Sequence, residues 1–512
     1  VSAIKIERAN GAVALRLNLI AEPVAYEPGT PIVFGVLPHP ARPLPDAYRK
    51  YDRIPAEEDA RNCSIYDAFR PWPQSPRAGG ASLSMKLFPA ADPQKPKAGP
   101  SWEYAESCIP NMKATLPHGL RTLYLSKAWF SCRAGRYDNW EWRSGGSGTV
   151  SLTPSFVNYL CWEMNEWIGR DIWDAIYLDE CYEHAARNLL AGHSVRLPDG
   201  SQQPGVTNFQ FRELMKRWRN IFHQHGRKPV LIAHHTYSWQ YHGLVFCDSH
   251  LDGENAPIVS LTSRDWVDST SKHRFECLQN SRLWGISSFY MPYISEGGFS
   301  GGSDAYKRWQ WRMARQAQSQ FAHYEVATVY EGQGSHVYNA FWDDVFAWGG
   351  ADPDTASFHP YWDNGRYIDV EDQGGNTLVS FYKQDGSILM IASNRRKQPH
   401  DVTVTLDLEA LGLPAQPSLR HHDSTYPPAK GKDQLSQKAL KKLKEDAAAA
   451  MDRQAAAGGD LGMDEELALD EVDDLFEDEK KKKKKAASTP RIEGNVVTLP
   501  CRPRDFRMVI IE

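Results

Sequence analysis

Between about residue 60 and residue 360 the chain alternates short apolar runs with longer stretches of helical spacing, a pattern that few folds accommodate. The candidate strands are residues 83–87, 122–126, 175–179, 229–233, 244–247, 285–290 and 327–330. Between them, Phe156, Tyr159, Leu160, Met164 and Trp167 recur at helical spacing. Phe211, Leu214, Trp218, Ile221 and Phe222 do the same, and residues 304–321 form a third such stretch. Strand-helix alternation of this length predicts an α/β fold of the (β/α)8 TIM-barrel type. Seven runs rather than eight imply an irregular barrel or one strand hidden in the pattern.

The flanks read differently. Residues 1–45 alternate in the β manner and end in a proline-rich stretch, which predicts the end of an N-terminal β-sandwich. Residues 46–360 are then the barrel, and residues 361–512 return to β-alternation, predicting a C-terminal antiparallel β-sandwich. That last region is interrupted at 427–490 by an Ala-rich, mixed-charge stretch with an acidic run and six successive lysines, 480–485. Phe476 is its single aromatic residue, so the stretch cannot support a packed core and is expected to be a solvated, disordered insertion. The chain opens on Val1 inside strand-like sequence, which suggests a processed or excised piece.

Composition removes several function classes. A formal charge of −5 over 512 residues argues against a general nucleic-acid binder, and no apolar run is long enough to span a bilayer. The eight cysteines show no paired spacing for zinc or a disulfide framework, so no metal and no cofactor are expected. All 17 tryptophans fall between Trp72 and Trp362, in the expected barrel and its borders. Most must be core, but Trp129, Trp239 and Trp342 stand where a sugar-stacking rim is expected.

The residues with chemistry sit where apolar runs end. Asp179-Glu180 closes the run that starts at Asp174, and the C-terminal ends of barrel strands form the floor of a barrel's active site. Charge at a buried strand end costs free energy unless it is paired or solvated, so such carboxylates are seldom there for stability. A second cluster, Asp248 and Asp252-Gly253-Glu254, follows the 244–247 run. Two acidic clusters suggest glycosidic-bond chemistry, which needs a proton donor and a carboxylate that attacks or stabilises the cationic sugar. For both members of Asp179-Glu180 to reach one site, the backbone must leave the regular strand after Asp179, because neighbouring strand side chains point to opposite faces. His234-His235 ends another run and can bond sugar hydroxyls or tune a carboxylate. Tyr290 and Tyr293 can orient an acetamido or hydroxyl group, or simply pack. Asp252-Gly253-Glu254 is read equally well as a polar turn built on its glycine.

Phe34 to Pro43, Tyr177-Leu-Asp-Glu180, Leu251-Asp-Gly-Glu254, Ile391-Ala-Ser-Asn394 and Leu408 to Leu413 together resemble the glycoside hydrolase family 123-like proteins. The resemblance covers most of the chain outside 427–490. It implies a retaining, exo-acting β-N-acetylhexosaminidase of the N-acetylgalactosaminidase kind, with substrate-assisted catalysis and an extracytoplasmic location. On it, Asp179 stabilises an oxazolinium-like intermediate and Glu180 is the general acid/base. The expected partner is a carbohydrate, an oligosaccharide or glycoconjugate, and the sequence fixes no oligomeric state. Two other readings stand beside this one. In one, Asp179 is a covalent nucleophile and Glu254 the acid, with Trp129, His234, His235, Asp252, Tyr290, Tyr293 and Trp342 binding substrate in either case. In the other, the barrel is a non-catalytic carbohydrate-binding or assembly protein.

Overall fold

The computed structural model describes residues 4–18, 35–44, 48–50, 122–126, 151–181, 185–235, 241–253, 266–269, 271–292, 304–328, 335–425 and 489–512. Two units divide the chain, Val1–Pro38 and His39–Glu512. In the first, β1 (Ile4–Ala9) and β2 (Ala12–Leu17) form an antiparallel hairpin. Asn10 and Gly11 turn it with φ of 52° and 75°, the two positive values that a tight hairpin turn matching strand twist requires.

The second unit opens with a 3-10 turn at Tyr48–Lys50 and then builds a parallel sheet. In chain order its elements are β3 (Thr122–Ser126), α1 (Pro154–Gly169) and β4 (Ala175–Asp179). A small hairpin of β5 (Ser194–Arg196) and β6 (Gln202–Pro204) precedes α2 (Asn208–Gln224). Next come β7 (Leu231–His234), α3 (Tyr241–Leu244) and β8 (Ser249–Asp252). The short helices α4 (Trp266–Ser269), α5 (Lys272–Leu278) and α6 (Ser281–Trp284) lead to β9 (Ser287–Tyr290). Finally α7 (Asp304–Phe321), β10 (Ala327–Thr328) and α8 (Ser335–Trp348) complete the series. The six strands lie side by side in the order β3-β4-β7-β8-β9-β10, all parallel. Strands that follow one another in space as in sequence, with helices between, make a β/α barrel rather than a doubly wound sheet.

One expected strand is misplaced. Residues 244–247 end a helical turn and a loop, and the strand is Ser249–Asp252. Apolar content misled here: Leu244 and Cys247 are buried as the underside of that turn. Asp248 is consequently at the start of β8, the opposite end from Asp252. It accepts hydrogen bonds from Arg42 (3.0 Å), Arg219 (3.1 Å) and the Leu231 amide (3.0 Å), which makes it a brace at the strand's entry.

The C-terminal region holds two antiparallel sheets. Its elements are β11 (Ser357–His359), β12 (Ile368–Val370), β13 (Thr377–Gln384), β14 (Ser387–Asn394), β15 (His400–Leu406), α9 (Leu408–Leu411), β16 (Leu419–His421), β17 (Arg491–Glu493), β18 (Val496–Cys501) and β19 (Asp505–Ile511). One sheet runs β11-β13-β14-β19-β16 and the other β12-β15-β18-β17. Since β11 pairs with β13, this domain begins a few residues before 361. Alternate residues of β14 and β19 serve two cores. Ile388, Met390, Val509 and Ile511 pack between the sheets, while Leu389, Ile391, Met508 and Ile510 pack against Phe341, Trp342 and Val345 of α8. A strand covered on both faces reads as a continuous apolar run, which is what 508–511 shows. The expected insertion lies almost wholly outside the described residues, and no helix among them is long and apolar enough to cross a membrane.

Two buried polar clamps tie α7 and the turn after it to the β-domain. Arg315 donates to Asp505 Oδ1 (2.6 Å) and to both oxygens of Asp423 (2.9 and 2.8 Å). His323 bridges Ser380 and Ser393, at 2.8 Å from each hydroxyl. Replacing Arg315 by Leu strands buried carboxylates, so urea unfolding should show a loss of about 3–5 kcal/mol; a loss below ~1 kcal/mol would contradict the clamp. Burial, with Arg395 adding to it, lowers the His323 pKa from 6.5 to about 3. The folded state therefore resists a proton that the unfolded chain takes up. The contribution of a neutral His323 is present above about pH 6.5 and shrinks as pH falls towards about 3. His323→Gln should flatten the fall in unfolding midpoint between neutral pH and pH ~4; an unchanged slope would exclude this residue.

Candidate functional site

The ends of β4 and β7 meet at one side-chain group. Asp179 Oδ1 lies 2.6 Å from His234 Nδ1, and Tyr177 Oη lies 2.7 Å from the same nitrogen. Tyr177 and Asp179 are two apart on β4, so they share a face of the sheet. His234 is almost fully buried, with 3% of its side chain exposed, while Asp179 keeps 18%. Such a carboxylate is fixed from behind and reachable from in front.

The backbone leaves the regular strand where the pair of acidic residues requires it. Tyr177 pairs with Ile232 and Leu178 with Ala233, and a continuing ladder would give the next hydrogen bond to the Glu180 amide. Instead the Cys181 amide donates to His234 O at 2.8 Å. Glu180 is an extra residue, a bulge, with φ of 53°. Its amide, displaced from the ladder, donates to Asp179 Oδ1 at 2.8 Å. Positive φ is uncommon for a residue with a side chain, and such strain concentrates at functional positions.

The end of β8 repeats the device with a glycine. The Gly253 amide donates to Asp252 Oδ1 at 2.7 Å, and Gly253 has φ of 102°. A Cβ there would meet the Tyr290 ring at 2.5 Å and Met291 O at 2.7 Å, so only glycine fits. The surroundings of Asp252 nevertheless differ from those of Asp179. By strand register Asp179 and His234 share a face with Leu251 and Phe289, whereas Asp252 and Tyr290 occupy the other. That second face meets the helices. Asp252 Oδ2 accepts from Gln279 Nε2 (2.9 Å), at the end of α5, and the carboxylate is buried. Gln279 Oε1 in turn accepts from Ser288 Oγ (2.5 Å) and lies 3.2 Å from His250 Nε2. Burial pushes the His250 pKa down to about 3, with the Gln279 bond opposing. This is a closed polar network behind the sheet.

The expected site residues therefore separate. Asp179, Glu180 and His234 come together at the barrel's strand ends. His235 follows, buried, its amide donating to Leu251 O at 2.7 Å. Tyr290 is core: its ring packs against Trp266, Phe275 and Phe321 at 5.2–6.0 Å. Trp342 is corrected too. It lies inside α8 rather than after a strand, and it is buried at 5% exposure against the β-domain, where no sugar reaches it. Trp129, Trp239, Glu254 and Tyr293 lie outside the described residues. Among the described residues no group of side chains could hold a metal ion. Sequence reasoning passed over Tyr177, although its place two residues before Asp179 carried the signal. Gln279 had no such signal, because it reaches Asp252 from a different element.

No family model matches the chain and no curated protein matches it. Among solved structures, it is similar to a noncanonic maltogenic α-amylase, AmyB, from Thermotoga neapolitana, at 7% identity over 81% of this chain and 82% of that one, with a TM-score of 0.42. It is similar also to an Anoxybacillus α-amylase described under a new glycosyl hydrolase subclass, at 8% identity, 81% and 80% coverage and a TM-score of 0.40. A third is a GH27 β-L-arabinopyranosidase from Geobacillus stearothermophilus, at 11% identity and a TM-score of 0.36, with 70% of this chain covering 62% of that one. None of the three is described as a member of family 123. Similarity of this extent assigns neither an activity nor a residue role to the chain.

Gly253→Ala tests the second turn. The added methyl meets a ring and a backbone oxygen at a strained φ, so stability should fall by about 2–4 kcal/mol in denaturant unfolding. A loss within ~0.5 kcal/mol would show that the turn can relax.

Proposed function

We propose that the chain is a glycoside hydrolase whose centre is Asp179 and Glu180. The observation that carries this reading is the bulge after Asp179, which leaves a carboxylate anchored by an imidazole and a backbone amide, beside a second acidic residue, at the C-terminal end of a parallel barrel strand. Structural economy does not account for a strained acidic residue next to a partly exposed one.

The finer reading is a retaining, exo-acting β-N-acetylhexosaminidase with substrate-assisted catalysis. The acetamido oxygen of the substrate attacks the anomeric carbon while Glu180 gives its proton to the departing glycosidic oxygen. Asp179 orients the acetamido N–H and stabilises the oxazolinium-like intermediate. Glu180 then takes a proton from water, which opens that intermediate with net retention. An anchored carboxylate suits this role, because an electrostatic stabiliser works best when it does not have to reorganise.

A panel of aryl glycosides tests it, comparing N-acetylgalactosaminide and N-acetylglucosaminide with their 2-hydroxy counterparts. Turnover confined to the 2-acetamido sugars is expected. Asp179→Asn should lower kcat by about 100-fold or more on every leaving group. Glu180→Gln should lose about 100-fold or more on poor leaving groups and much less on activated ones. Turnover of 2-hydroxy sugars would move the nucleophile to a protein carboxylate, and no turnover on any sugar would favour a carbohydrate-binding protein.

A further inference from the structure

The contacts around Asp179 fix where one proton sits. His234 Nδ1 is 2.6 Å from Asp179 Oδ1 and 2.7 Å from Tyr177 Oη. If Nδ1 carried no proton, the carboxyl group would have to donate to it through Oδ1. That same oxygen already accepts the Glu180 amide at 2.8 Å. A carboxyl oxygen bearing a proton is a poor acceptor, whereas a carboxylate oxygen accepts two donors readily. The proton therefore belongs on Nδ1 and the charge on Asp179.

We propose that His234 and Tyr177 are the positioning residues of this site: His234 holds a proton on Nδ1 and donates it to Asp179 Oδ1, and Tyr177 fixes the imidazole plane. Tyr177 Oη shares the Nδ1 proton as the second acceptor of a three-centre bond, so the ring cannot turn without losing both. The proton assignment is independent of the reaction, while the positioning role rests on the glycosidase reading. As in a metal site's outer shell, groups behind the reacting atom set its orientation and its charge.

Nitrogen-15 spectra of the full chain with labelled histidine decide the first part, with His234 identified by the signal absent from His234→Asn. A protonated Nδ1 is expected, and a bare Nδ1 with the proton on Nε2 would overturn the proposal. Kinetics on an aryl 2-acetamido glycoside decide the second part. Tyr177→Phe and His234→Gln should each lower kcat about tenfold or more, with KM changed less than about twofold. His234→Asn places an amide N–H where Nδ1 was, and it should keep kcat within about threefold of the parent. Unchanged kcat in Tyr177→Phe and His234→Gln, or an equal loss in His234→Asn, would overturn the positioning role. If the parent protein turns over no glycoside, the positioning role falls with the function, and the nitrogen spectra still settle the proton.

Discussion

One hydrogen bond displaced by one residue shapes the mouth of the parallel sheet. Had the ladder between β4 and β7 continued, Glu180 would have been an ordinary strand residue with its amide bound to His234 O. Because Cys181 takes that acceptor, the Glu180 amide turns back to Asp179 and the chain leaves the sheet there. Everything proposed for the site follows from this. The carboxylate of Asp179 gains the Glu180 amide as a donor, and its neighbour is released from the alternation that would have pointed it to the opposite face.

Such a bulge persists only if the frame around it is rigid. The parallel strands are backed by helices, and the sheet's far end is braced by Asp248 with Arg42 and Arg219. Helix α7 and the turn after it are clamped in turn to the β-domain by Arg315 and His323. Buried ion pairs of this kind add little net stability compared with apolar packing, but they tolerate few alternative arrangements. A β-domain whose central sheet is covered on both faces holds the barrel's last helices in place.

Much of the fold was legible in the sequence because its signals are local. The alternation of apolar runs and helical spacing marks five of the six parallel strands, the expected run at 83–87 lying outside the described residues, and the return to period-two alternation after residue 361 marks the antiparallel sheets. Where a run served another purpose the reading slipped: 244–247 is apolar because a helical turn is buried, not because a strand passes there. The site was legible in part. Strand-end position points to Asp179, Glu180 and His234, which the structure brings together, and the strand's period of two already requires a break after Asp179. What spacing could not supply was the face on which a strand end presents its side chain. Asp252 has the same local grammar as Asp179, down to the amide of the next residue on Oδ1, yet register turns it towards the helices and Gln279. Trp342 has the sequence surroundings of a rim residue, but the helix around it packs on the β-domain.

The proposed mechanism needs an ionised, anchored Asp179 to stabilise a cyclic cationic intermediate formed from the substrate's own acetamido group. Calorimetric binding of a thiazoline analogue of N-acetylhexosamine, which mimics that intermediate, tests it most directly. A stable mimic of the intermediate should bind the parent protein far more tightly than the free sugar, and Asp179→Asn should weaken it by about 100-fold or more. Binding equal in the two proteins, or no binding to the parent, would contradict the account.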